Sequence, residues 1–161
     1  MALSKVKRSQ IATYLNTSTT TGAVYSLVGL GVTTGKIEMG PKVTEETYIH
    51  QDTSTTSIDS YSPNMKMEMT AVTTDAVYVY VDNLMRTRAT LAAAETDIVT
   101  AYYYQSSTTG GYPADRQAVA IQIDDFGGDG GQPAKINYTI NYVGDPIPGT
   151  FNTGTSAFTP S

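Results

Sequence analysis

Between residues 121 and 131 the chain reads IQIDDFGGDGG, which sets Asp124, Asp125 and Asp129 among four glycines. Carboxylates at this density can hold a divalent cation, and glycine-rich backbone can cradle a phosphate. Both chemistries make further demands. A calcium loop of the EF-hand kind needs more oxygen ligands at fixed spacing and a closing glutamate, which is missing here. A phosphate loop opens a helix. This stretch leads instead into KINYTINYV, where Ile136, Tyr138, Ile140 and Tyr142 alternate with Lys135, Asn137, Thr139 and Asn141 as on a strand. Val119, Ile121 and Ile123 alternate in the same way before it. The segment therefore reads as a hairpin connection, with glycines for positive φ and aspartates for turn hydrogen bonds.

The remaining candidates are weaker. His50 is the single histidine, so it cannot found a histidine metal site, and no nucleophile-elbow pattern accompanies it. Glu45/Glu46 and Asp124/Asp125 are adjacent pairs. Neighbours on a strand point to opposite faces, so such a pair converges only at a bulge. Met65, Met67 and Met69 alternate with Lys66, Glu68 and Thr70, which reads as the buried face of a strand before it reads as a copper site. The expectation is a non-enzymatic protein without catalytic, cofactor-binding or metal-binding residues.

The elements that carry these residues are mostly strands. Residues 65–72, 97–105, 117–124 and 135–143 have strand patterns. One segment, 75–90, has β-branched and aromatic residues suited to a strand, yet Val77, Tyr80, Val81, Leu84, Met85 and Arg88 fall on one helical stripe that Thr74 or Asp75 can cap. It predicts the sole α-helix. Residues 1–22 read as a polar N-terminal arm, 52–62 as a long exposed loop or hairpin tip, and 144–161 as a C-terminal arm broken by Pro and Gly.

Composition agrees with one domain of this kind. The chain has 161 residues, 40% hydrophobic but only 16% charged, with 12 Tyr, 3 Phe and no Trp. Thr, Ser, Asn and Gly must supply most of the polar surface, as in turn-rich all-β proteins. The absence of cysteine excludes disulfides and thiol chemistry. A net charge of -5 gives no basic footprint for nucleic acid; Lys5, Lys7 and Arg8 form the sole basic cluster. No apolar run approaches the roughly 18 residues a membrane helix needs, and the N-terminus has no apolar core of a secretory signal.

The order of the segments resembles a known family. SYSPNMKMEMTAV, TDAVYVYVDNLM, ADRQAVAIQIDDFGGDGG and INYTINYVGDPIPGTF follow one another. Within them stand Tyr61-Ser62-Pro63, the Asp75-led segment, Gly127-Gly128 after Ile123-Asp124-Asp125-Phe126, and Gly144-Asp145-Pro146 followed by Gly149-Thr150-Phe151. Over most of residues 35–152 this is similar to the major tail protein, or tail tube protein, of siphophages that infect Gram-positive bacteria.

The resemblance implies a mainly β fold: a β-sandwich or half-barrel of antiparallel strands with one flanking helix, extended arms and a protruding loop. It implies hexameric rings stacked into a virion tail tube that conducts double-stranded DNA, made in the host bacterial cytoplasm. Tape measure, tail terminator and distal tail proteins would be its partners, with no membrane. The polar faces beside the glycine-rich turn would then line the lumen: Ala118, Ala120, Gln122, Asp124, Asn137, Thr139 and Asn141. The polar loop, Asp52, Thr53, Ser54, Thr55, Thr56, Ser57, Ile58 and Asp59, would contact the next ring. A glycan-binding surface module and a contractile-tail tube subunit are the alternative readings.

Overall fold

The computed structural model describes residues 4–161. Among them the fold is mainly β and antiparallel with one α-helix. Its strands are β1 (Ile11–Asn16), β2 (Tyr25–Leu27), β3 (Ile37–Glu38), β4 (Pro41–Glu46), β5 (Thr55–Tyr61), β6 (Asn64–Thr70), β7 (Glu95–Tyr102), β8 (Tyr112–Gly127), β9 (Lys135–Asn152) and β10 (Ala157–Pro160). Eight of them form one sheet in the order β2-β1-β7-β8-β9-β6-β3, with β10 added to β9. Among the described residues β4 and β5 pair only with each other.

The helix α1 spans Ala76–Thr87. Asp75 caps it, its carboxylate accepting the Tyr78 N–H at 3.1 Å. At the other end Arg88 turns into the left-handed region (φ 49°), and the Ala89 N–H reaches back to the Leu84 carbonyl at 3.1 Å. This closure satisfies carbonyls that the last turn leaves open. The helical stripe wins over β propensity because it buries Val77, Tyr80, Val81 and Leu84 against one face of the sheet.

Two cores lie on opposite faces. Beneath α1, Leu15, Met65, Met67, Met69, Ile98, Val119, Ile121, Ile136, Tyr138 and Ile140 pack together. Each such side chain contributes about 1.5–3 kcal/mol on full burial. Residues next to Ile98 in sequence point the other way. Val99 and Ala101 meet Ala114, Phe151 and Tyr25 in a second, smaller core rich in rings. The change of face coincides with a break in the β8–β9 register. Ala118 pairs with Val143 and Arg116 with Ile147, so Gly144-Asp145-Pro146 bulges out opposite Gln117. Gly144 takes φ 66° there, and the Gln117 side-chain amide donates to its carbonyl at 2.6 Å.

Three segments differ from the sequence reading. Residues 11–16, expected in the N-terminal arm, form β1 between β2 and β7, with Leu15 fully buried. The short alternation Ile11–Leu15 is masked in sequence by the Thr/Ser-rich run after it. The expected C-terminal arm is the distal half of β9 plus β10, which folds back so that Phe158 lies opposite Phe151. Its prolines are tolerated at the bulge and at the sheet margin. Residues 52–62, expected as a long exposed loop or hairpin tip, are exposed and belong to a hairpin, but most of them form its second strand, β5, opposite β4; this Thr-rich sequence pairs although it buries nothing.

Candidate functional site

Two surfaces stand out. The first is the face of β8, β9 and β6 turned away from α1. Gln122 lies opposite Thr139, Ala120 opposite Asn141, and Ala118 opposite Val143, so the seven sequence-predicted wall residues do share one face. They differ in access: Ala118, Gln122 and Asp124 are exposed, Ala120, Asn137 and Asn141 half-buried, and Thr139 buried.

The aspartate pair converges after all. Ile123 pairs with Tyr138 and Asp125 with Asn137, which leaves Asp124 as an extra residue in a bulge. Both carboxylates therefore reach the polar face. Asp124 accepts from Gln122 Nε2 and from Thr139 Oγ1, each at 2.7 Å, and Asp125 accepts from Asn137 Nδ2 at 2.8 Å. These donors hold the pair as part of a hydrogen-bonded wall.

Neighbouring strands extend the wall with residues the sequence reading left out. β6 brings Lys66 beside Thr139 and Glu68 beside Asn137, and Lys135 Nζ pairs with Glu68 at 2.6 Å. β7 brings Glu95 beside Ala120 and Asp97 beside Ala118. Asp97 accepts from Asn16 Nδ2 at 2.7 Å and from the Tyr25 hydroxyl at 2.5 Å. Burial, reinforced by this carboxylate, pushes the Tyr25 phenol well above its usual range. Five carboxylates, Glu68, Glu95, Asp97, Asp124 and Asp125, thus face two cations, Lys66 and Lys135. The alternation of 65–70 was legible, but only the pairing of β6 with β9 shows that its polar residues join this face.

The glycine-rich segment that ends β8 connects it to β9, as the hairpin reading expects. Gly127 and Gly128 take φ 137° and 150°, and a Cβ on Gly127 would meet nothing. Conformation is thus what glycine supplies there. Among the described residues no three His, Asp or Glu side chains cluster as a metal site would require. Met65, Met67 and Met69 are core.

The second surface is the β4–β5 hairpin. Gly40 (φ 53°) forms its base, so close to the Ser62 carbonyl that a Cβ would lie 2.6 Å from that oxygen. All of residues 45–62 are exposed, including Asp52, Thr53, Ser54, Thr55, Thr56, Ser57, Ile58 and Asp59. Val43 and Ile58 are cross-strand partners, both open to solvent. At the tip His50 stacks on Tyr48 with ring centroids 6.2 Å apart, and Ile49 is fully exposed. A two-stranded hairpin is marginally stable alone in water, and this one places apolar side chains where they bury nothing.

No family model matches the chain, and no curated protein matches it. Among the described residues no helix is long and apolar enough to cross a membrane.

Proposed function

We propose that this chain is a structural subunit that assembles with copies of itself into stacked rings forming a tube, the tail tube of a phage virion, through which DNA passes. The observation that carries the reading is the β4–β5 hairpin. It extends from the domain with Val43, Tyr48, Ile49, Ile58 and Tyr61 exposed, a cost to a monomer that contact with another subunit relieves. The acidic, hydrogen-bonded face of β6, β8 and β9 is the wall this reading assigns to the lumen. Its carboxylate excess would repel phosphates and keep DNA moving. The edges of the sheet also support assembly, since among the described residues β2 and β3 each leave one side unpaired.

The test is direct. Purified protein, raised in concentration, should sediment as large species and give rings or tubes in negative-stain micrographs. Monomers at every concentration and salt would overturn the proposal.

A further inference from the structure

The chain's basic residues are sparse, ten in 161, yet the fold sets two of them, Arg8 and Lys36, on one apolar cavity. Arg8 Nε donates to the Gly35 carbonyl at 3.1 Å, which fastens the N-terminal segment beside Lys36. Arg8 and Lys36 both line a cavity of about 390 Å³ whose apolar lining is Ile11, Ile37 and Met65. Lys7 immediately precedes Arg8 as the cap of a short 3-10 turn, and Lys5 lies two residues further back. Sequence alone shows the cluster of three; the contact with Gly35 adds Lys36 and the cavity.

The hairpin has the opposite character. It carries Glu45, Glu46, Asp52 and Asp59 against the single cation Lys42, and at its tip Tyr48 and Ile49 are exposed. An acidic element with an exposed apolar tip complements a basic rim around an apolar hollow. Size agrees: a cavity of roughly 150 Å³ admits a benzene ring, so this one can take Ile49 with part of Tyr48. We infer that the cavity bounded by Arg8 and Lys36 receives the β4–β5 hairpin tip of a second copy of this chain. The inference rests on the self-assembly reading and adds the contact that would join one subunit to another. Opposite charges at such a contact steer encounter and fix register more than they add affinity.

The experiment uses the full chain with charge reversal on each side, read by sedimentation and micrographs over a salt series. Lys36→Glu should raise the concentration needed for assembly roughly tenfold or more. Glu46→Lys with Asp52→Lys should do the same, and combining the two sides should restore assembly. Ile49→Ser should weaken assembly with little change in its salt dependence. Thermal melts of each variant check that these exposed substitutions leave the subunit folded. A zero-length carboxyl–amine cross-link between Lys36 and a hairpin carboxylate of an isotopically distinct copy is expected in wild type.

Normal tubes from Lys36→Glu, at wild-type concentration and salt response, would overturn this contact and leave the tube proposal standing. A wild type that stays monomeric would overturn both. Binding of duplex DNA or phosphatidylserine vesicles that Lys36→Glu abolishes, without any effect on assembly, would show the cavity to serve another anion and also overturn the inference.

Discussion

Individual side chains on this protein are held by a few partly buried polar contacts whose removal has signed consequences. Asp97 accepts from both Asn16 and Tyr25 beside the smaller core. Asp97→Ala strands two donors there and should cost about 1–3 kcal/mol in urea unfolding. Tyr138 is the converse. Its hydroxyl is buried without a hydrogen-bond partner among the described residues, so Tyr138→Phe should leave stability unchanged or raise it by about 1 kcal/mol. Burial lifts the phenols of Tyr25, Tyr102, Tyr103 and Tyr138 above their usual range and that of Tyr142 to about 12. An unfolded phenol ionises near pH 10. Above that pH the unfolded chain binds fewer protons than the native one, so the stability these groups contribute is complete below about pH 10 and is lost as pH rises toward 12. Alkaline titration should show phenolate absorbance and loss of β circular dichroism rising together for these groups. Full ionisation of all tyrosines with the sheet intact would contradict the burial argument.

At the scale of elements, two glycine sites separate conformation from crowding. A Cβ on Gly111 would lie 2.1 Å from the Phe151 carbonyl oxygen, and the residue also sits at φ 120°. Gly111→Ala should therefore unfold or severely destabilise the β8–β9 junction, read as a drop in melting temperature. Gly130 takes an ordinary φ and has open space around it, so Gly130→Ala in the β8–β9 turn should change the melting temperature by little. The same turn should not respond to calcium. A melting temperature of the unassembled subunit that rises by several degrees with calcium and falls back with EDTA would show a ligand that binds only the folded state. Asp75→Ala removes the cap of α1 and should cost about 1 kcal/mol.

The whole molecule divides into a packed body and a projecting hairpin, and the predictions at this scale follow that division. Replacing residues 42–60 by a short Gly/Ser turn should leave the melting temperature of the body nearly unchanged, because the hairpin pairs only with itself, yet abolish tube growth. Normal tubes from that variant would remove the hairpin from the assembly. If the acidic face lines the lumen, Gln122→Arg with Asn137→Arg should give tubes that assemble but deliver DNA slowly, since passing phosphates would meet attractive stops. Normal delivery through confirmed tubes would place this face elsewhere or make its charge irrelevant.

The sequence by itself determined the parts governed by local periodicity and local chemistry. Period-2 alternation marked β6 and much of β8 and β9, the Asp75-led stripe marked α1, and the glycines marked the turn after Phe126. These signals are legible because each depends on side chains a few residues apart. Only the tertiary structure decided the rest. That residues 11–16 are an inner strand depends on β7, whose Ile98 lies opposite Leu15 although more than eighty residues separate them. That Asp124 and Asp125 share a face depends on a bulge set by the register with β9. That Lys36 stands beside the N-terminal cations depends on one hydrogen bond from Arg8 across the fold. Each of these is a pairing between distant segments, selected by which faces bury apolar area together, and no window along the chain contains both partners.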